Sequence, residues 1–398
     1  MITAVRILPS RPNVQQYKKQ AKELLEAWKS GDSDARQRIT TFHPRLSKLP
    51  QKKAQIESSR PTALVLADAH LVLAREHGFE SWPKFSGHIE ALNRTGSMVP
   101  AFERATDAIV AGDVAGLERL LSENPQLIRA RSTRLHRATL LHYVGANGVE
   151  DFRQKTARNA VDILQVLLEA GAEVDARADM YSQDTTLGLV ATSVHPVRSG
   201  VQQALMETLL AAGAAIDADR HIVNACLANG RPQAAEFLAQ RGAPLDLEAA
   251  AGVGRLDLIR DFFESDGGLK AGATQKQMQA GLNWACEYGH ASVVDFLLES
   301  GAHLGVPDSH GQTALHWAVI GGQLGIVEIL LPRKPPLEAK NVYGGTVLGQ
   351  AAWSAVHDEV GTNYVPIIEA LLAAGADVSA VALPTGNRRI DEIIRRRP

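Results

Sequence analysis

Three of the five tryptophans in the chain, Trp284, Trp317 and Trp353, lie in the same stretch as Glu248, Glu287, Asp358 and Glu359. Carboxylates beside aromatic platforms are what glycoside chemistry needs, with one acid protonating the leaving group. Glu287, His357, Asp358 and Glu359 are therefore the candidate catalytic set, although Asp and Glu are too common for their types alone to define a reaction. Other chemistries lack their signatures. There is no HExxH, no paired CxxC and no Cys/His cluster, so no metal is expected. Gly252-Val-Gly254 and Gly344-Gly345 follow no strand-to-helix pattern and make no phosphate loop, and no GxSxG elbow occurs. No cofactor is expected. Cys226 and Cys286 are the only cysteines, which excludes a disulfide framework and suits a reduced, cytoplasmic setting.

Composition narrows the class. The 398 residues are 45% hydrophobic and 22% charged, the balance of a soluble globular chain. Aromatics make up 5%, while Ala, Leu and Gly are abundant, which favours small packed helices over a β-sandwich. Apolar stretches such as Val161 to Ala172 are broken by Asp, Gln or Glu, so none spans the ~20 residues a bilayer requires. Residues 1–14 lack the basic start and apolar core of a secretory signal. The net charge of −2 hides an asymmetry: residues 1–100 carry 16 Lys and Arg against 9 Asp and Glu, and the remainder 26 against 35. Lys18, Lys19, Lys22 and Lys29 occupy polar positions of a helical pattern, as a solvated face does, so nucleic acid is not the expected partner.

Residues 1–98 read as a small basic helical bundle. Asn13 starts a helix bearing Tyr17, Ala21, Leu24, Leu25 and Trp28; Gly31 stops it, and Asp32 to Asp34 can cap the next. Leu46 to Pro61 reads as a loop, Ala63 to His77 as a helix ended by Gly78, and Ser81 as the cap of a last helix reaching Leu92. From residue 102 the chain repeats itself. The clearest unit is Gly311-Gln-Thr-Ala-Leu-His-Trp-Ala318 followed by Ile326-Val-Glu-Ile-Leu-Leu331. Further openings stand at Thr139-Leu-Leu-His142, Thr185-Thr-Leu187 and Thr346-Val-Leu348. Closing Leu-Leu-x-x-Gly-Ala pieces end at Ala172, Ala214, Ala302 and Ala376.

This Thr-x-Leu-His-x-Ala opening and its leucine-pair closing resemble ankyrin repeats. About eight ~33-residue units cover residues 102–380, roughly 70% of the chain, with the degenerate ones at 103–131, 221–247, 248–275 and 276–305. The stretch Leu64 to Trp82 is similar to a leader of bacterial ankyrin-repeat proteins. The resemblance implies an all-α solenoid of helix pairs after the N-terminal bundle, and a cytoplasmic protein that binds other macromolecules through groove and hairpin tips. Each pair has an apolar face too small to be stable alone, so neighbours complete the core and both ends need caps. Residues 381–398, with Ile390, Ile393 and Ile394 among five arginines, read as the C-terminal capping helix. His142 and His316 belong to the repeat motif and read as structural, and the two cysteines read as core filler.

Departures from the repeat mark candidate binding positions. The span from Thr313 to Lys334, which replaces the closing Gly, is 21 residues; the equivalent spans from Thr139, Thr185 and Thr346 are 32, 28 and 29. The extra residues fall between inner and outer helices and include Glu150, Asp151, Arg153 and Lys155, then His195 and Arg198, then His357, Asp358 and Glu359. Loops extended on one edge of a repeat array often bind. In the groove register just after the motif His stand Tyr143, Leu189, Ala225, Ala249, Trp284, Trp317 and Gln350; Glu287, Tyr288 and Trp353 follow one turn on. Tyr143, Trp284, Glu287, Tyr288, Trp317, Trp353, His195, Arg198 and His357 are thus the expected contacts of a protein partner. A small-molecule or carbohydrate pocket made of the same groove is the alternative.

Overall fold

Asn13 caps the first helix, its Oδ1 accepting from Gln15 N at 2.8 Å, and Gly31 ends it at φ 85°. The computed structural model describes residues 5–46, 64–181, 184–216, 221–357 and 361–396. Its contacts divide the chain into two units, residues 1–216 and 217–398. In the first, helices Val14–Ser30, Ser33–Phe42, Leu66–Glu76 and Trp82–Asn93 form the N-terminal bundle around Leu24, Trp28, Ile39, Val72 and Leu73. Asp32 caps the second helix through Ala35 N, as its sequence position suggests. Most of the Leu46–Pro61 stretch lies outside the described residues.

Helix pairs follow. The first unit holds Val99–Ala111 with Val114–Glu123, Leu140–Gly145 with Ala160–Glu169, and Thr186–Thr192 with Gln202–Ala211. The second holds Ile222–Ala228 with Pro232–Gln240, Leu247–Gly252 with Leu256–Ile259, and Gln275–Tyr288 with Ala291–Glu299. It ends with Ala314–Ile320 beside Leu324–Leu330 and Val347–His357 beside Val365–Ala373. Eight pairs are therefore seen among the described residues, and the fold is an all-α repeat solenoid. The opening Thr does its work with the motif His. Thr139 N donates to His142 Nδ1 at 3.2 Å, and Thr313 N does the same to His316. At the closing position Gly171 takes φ 87°, and Lys334, the residue without glycine's freedom, is held in the same left-handed region at φ 54°. The C-terminal helix Arg388–Arg395 buries Ile390 and Ile394 against the last repeat. Both cysteines are buried, and neither forms a disulfide.

The three long spans turn out differently. In the second, the extra residues coil into the short helix Val194–Arg198. In the last, they lengthen the inner helix, which runs 11 residues against 7 in Ala314–Ile320. In the first, Glu150 and Arg153 turn inward, whereas Lys155 stays exposed. Glu150 and Arg153 are only 2% and 5% exposed, as is Arg134 at 5%. Arg134 lies 2.5 Å from Glu103 Oε1 and, through Nε, 2.8 Å from Glu150 Oε1. Arg153 reaches Glu103 Oε2 at 2.8 Å and Asp107 Oδ1 at 2.7 Å. Burial pushes the Glu150 carboxyl up, but Arg134, His136 and Arg153 together hold it well below the usual carboxylate range. The insert also ties down the N-terminal segment, because Asp151 Oδ1 accepts from Val5 N at 3.0 Å.

Removing one member of such a buried pair strands the other, so Glu103→Ala should cost about 3–5 kcal/mol. Urea unfolding of the full chain checks this, with the loss read on the first unit. Histidines set a separate pH dependence. Burial, followed by the nearby Arg134, lowers His88 to about 4; burial and then Arg131 lower His142 to about 4. Their folded values lie below the unfolded value near 6.5, so the unfolded chain binds protons first as pH falls. Stability is complete above the unfolded value and is lost between there and pH ~4, on the order of 2 kcal/mol per histidine at pH 5. The urea midpoint of the first unit should drop from pH 7 to pH 5, and replacing His88 and His142 with Gln should flatten that drop.

Candidate functional site

A cleft of about 880 Å³ lies beside the last two repeats in the second unit. One wall is the hairpin turn Asn341–Gly345, where Asn341 Oδ1 accepts from Tyr343 N and Gly345 N, both at 3.0 Å. Those two bonds fix the amide, and Asn341 Nδ2 has no partner among the described residues. The floor comes from Gly349, Gln350, Ala352, Trp353 and His357 of the inner helix Val347–His357. Gln312, Trp317 and Ile320 of the preceding repeat line one side. The other side is the segment 380–385 before the C-terminal helix, held because Asp391 Oδ1 accepts from Thr385 N at 2.9 Å and from its hydroxyl at 2.7 Å. This segment comes close to the floor: a Cβ on Gly349 would sit 3.8 Å from Ala380 O.

Two rings stand out to solvent here. Tyr343, at the hairpin tip, is 83% exposed, and Trp353 is 59% exposed. Trp353 and His357 are one turn apart and stack at 4.3 Å and 14°, while His357 Nδ1 lies 2.8 Å from Trp353 O. Helical i, i+4 geometry thus pins the indole as a flat plate. None of the described lining residues is Asp, Glu, Lys or Arg.

The neighbouring aromatics form a second, better anchored group. Trp284 stacks on Tyr288 at 6.1 Å and packs against Trp317 at 5.4 Å. Their polar atoms are already engaged: Trp284 Nε1 donates to Glu248 Oε1 at 2.9 Å, Trp317 Nε1 to Asp308 Oδ2 at 3.1 Å, and Tyr288 OH to Leu227 O at 2.6 Å. Glu248 therefore holds an indole in place. Glu287 is a half-buried acid whose carboxyl burial pushes up to about 8. Its Oε2 is shielded from solvent without a hydrogen-bond partner among the described residues, and it is not among the described residues lining the cleft.

The sequence candidates are thus divided. Trp317, Trp353 and His357 meet in the cleft, and Trp284 and Tyr288 continue the aromatic row from Trp317. Asp358 and Glu359 lie outside the described residues, and the proposed grouping of Glu287 with His357 in one cavity is not formed by the described lining. His195 and Arg198 belong to the helix Val194–Arg198 of the first unit. Tyr143 is a correction. It is completely buried, with Phe102 and His136 edge-on to its ring at 6.3 and 6.0 Å and its hydroxyl 3.4 Å from Glu150 Oε1. The insert that follows folds back over this groove position and removes it from solvent. Tyr343, Gln312, Asn341 and the segment 380–385 are additions. An aromatic next to Gly344-Gly345 is a visible hairpin-tip signal, whereas nothing in the sequence of 380–385 indicates that it walls a cleft.

Residues 247–341 and 282–382 match a family model described as Ankyrin repeats (3 copies). The C-terminal region, which holds the cleft, is therefore built of ankyrin repeats. No curated protein matches the chain. No described helix is long and apolar enough to cross a membrane, and no group of three or more His, Cys, Asp or Glu among the described residues is placed to hold a metal ion.

Burial separates the two kinds of aromatic. Truncating the exposed ring in Trp353→Ala should change stability by less than about 0.5 kcal/mol. Tyr143→Ala should cost about 3–5 kcal/mol through the cavity it leaves. Thermal and urea unfolding of the two variants would show whether the cleft ring is free of a packing role.

Proposed function

We propose that this chain is a protein-interaction module whose partner docks in the cleft bounded by the Asn341–Gly345 turn, the Val347–His357 helix and the segment 380–385. Ankyrin repeats generally mediate protein–protein interaction. The observation that carries the reading is the pair of large exposed rings, Tyr343 and Trp353, at one cleft whose other aromatics are tied to the scaffold. Trp and Tyr supply much of the energy at protein interfaces, because they bury a large area on few rotatable bonds. A rigid, preformed surface spends little ordering entropy on binding. Cys226 and Cys286, buried and outside any disulfide, fit a reducing, cytoplasmic setting, and the N-terminal bundle serves as the leader of the array.

Among the described residues the carbohydrate-cleaving alternative finds little support: Glu248 engages Trp284, and Glu287 does not line the cleft. A photocrosslinker placed at position 356, on the rim beside Trp353, should capture a protein partner in its native extract. Tyr343→Ala with Trp353→Ala should abolish that adduct while leaving the helical circular dichroism unchanged. An undiminished adduct would place the partner elsewhere.

A further inference from the structure

We propose that the partner segment this cleft takes is an uncharged, proline-rich stretch in the polyproline II conformation, which rests on the docking reading above. Three properties of the site select it. The first is charge. The described lining carries no Asp, Glu, Lys or Arg, so among the described residues no charge would repay an acidic or basic peptide for losing its hydration.

The second is the pairing of flat rings with unused donors. A polyproline II segment has no internal hydrogen bonds, presents its carbonyls outward and packs its pyrrolidine rings on aromatic faces. Trp353 is held flat by the His357 stack, and Tyr343 and Trp317 add further faces along the cleft. For the carbonyls, Trp353 Nε1, Tyr343 OH, Asn341 Nδ2 and the Gln312 amide have no partner among the described residues. Acceptors without an N–H match this array: proline offers carbonyls to accept from these donors and has no N–H that would need an acceptor in the site.

The third is what the cleft lacks. Strand addition needs a sheet edge with unpaired N–H and C=O groups, and the described residues hold only an isolated bridge, Phe263 with Leu269, away from the cleft. A neutral sugar would also stack on Trp353, but its hydroxyls are both donors and acceptors and are commonly gripped by charged side chains, which the described lining does not offer. Gly344, Gly345 and Gly349 leave the wall and floor bare of side chains, so a main chain can approach closely.

The test is panning of a phage-displayed random peptide library on the full-length chain. Titration of an acetylated, amidated decaproline peptide follows, read by intrinsic tryptophan fluorescence. The expected result is enrichment of uncharged, proline-rich sequences and saturable decaproline binding, weakened roughly tenfold or more by Trp353→Ala and by Tyr343→Ala. Enrichment of charged or proline-poor peptides that still depend on Trp353 would overturn the polyproline assignment and leave the docking reading in place. Peptides indifferent to both substitutions would overturn both. So would a neutral oligosaccharide, maltoheptaose, binding in a Trp353-dependent way where no peptide does.

Discussion

Every element of this protein answers one constraint: a short helix pair cannot hide its own apolar face. Inner helices of seven residues, such as Ile222–Ala228 and Ala314–Ile320, are far below the ~12–15 residues at which an isolated helix becomes even marginal in water. They persist because each lays its Ala, Leu and Val positions on the next pair, as Leu282, Ala285, Leu315, Ala318, Leu348 and Ala351 do in one continuous core. The ends follow from the same constraint. The helix Arg388–Arg395 supplies Ile390 and Ile394 to the core of the last repeat and leaves Arg388, Arg389 and Arg395 exposed.

Stacking also explains where the repeats diverge in chemistry. Positions that are equivalent by register need not be equivalent in space, because what lies over them depends on the insert that follows. After Leu140–Gly145, Glu150 and Arg153 of the insert fold inward, and Tyr143 becomes part of a buried cluster with Glu103, Arg134, Glu150 and Arg153. After the motif of the last repeat, the extra residues extend the inner helix instead, and Trp353 with His357 stands clear on its added turn. Extra length thus closes one groove position and builds a plate at another.

Much of the fold was legible from local rules. The Thr and His that open two of the repeats could be recognised by type and spacing, and the structure joins them, with Thr139 N donating to His142 and Thr313 N to His316. The cap residues Asn13 and Asp32 and the stops at Gly31 and Gly78 were legible for the same reason. The site was legible only in part. Trp317, Trp353 and His357 could be placed on one side of neighbouring helices by periodicity. The inward turn of Glu150 and Arg153 could not, because a charge in a long loop is ordinarily a solvated one.

The sequence by itself determined the repeating unit, its helix ends and the row of aromatic positions along the inner helices, because these depend on spacing within a few turns. Tertiary structure decided which aromatics are free. Trp284 and Trp317 are bound to Glu248 and Asp308, Tyr143 is enclosed, and Trp353 and Tyr343 remain open. Exposure depends on what packs from distant parts of the chain: the segment 380–385 reaches back to the cleft, and Arg134 reaches forward to Glu150. Such contacts are set by the arrangement of whole repeats and have no counterpart in local spacing.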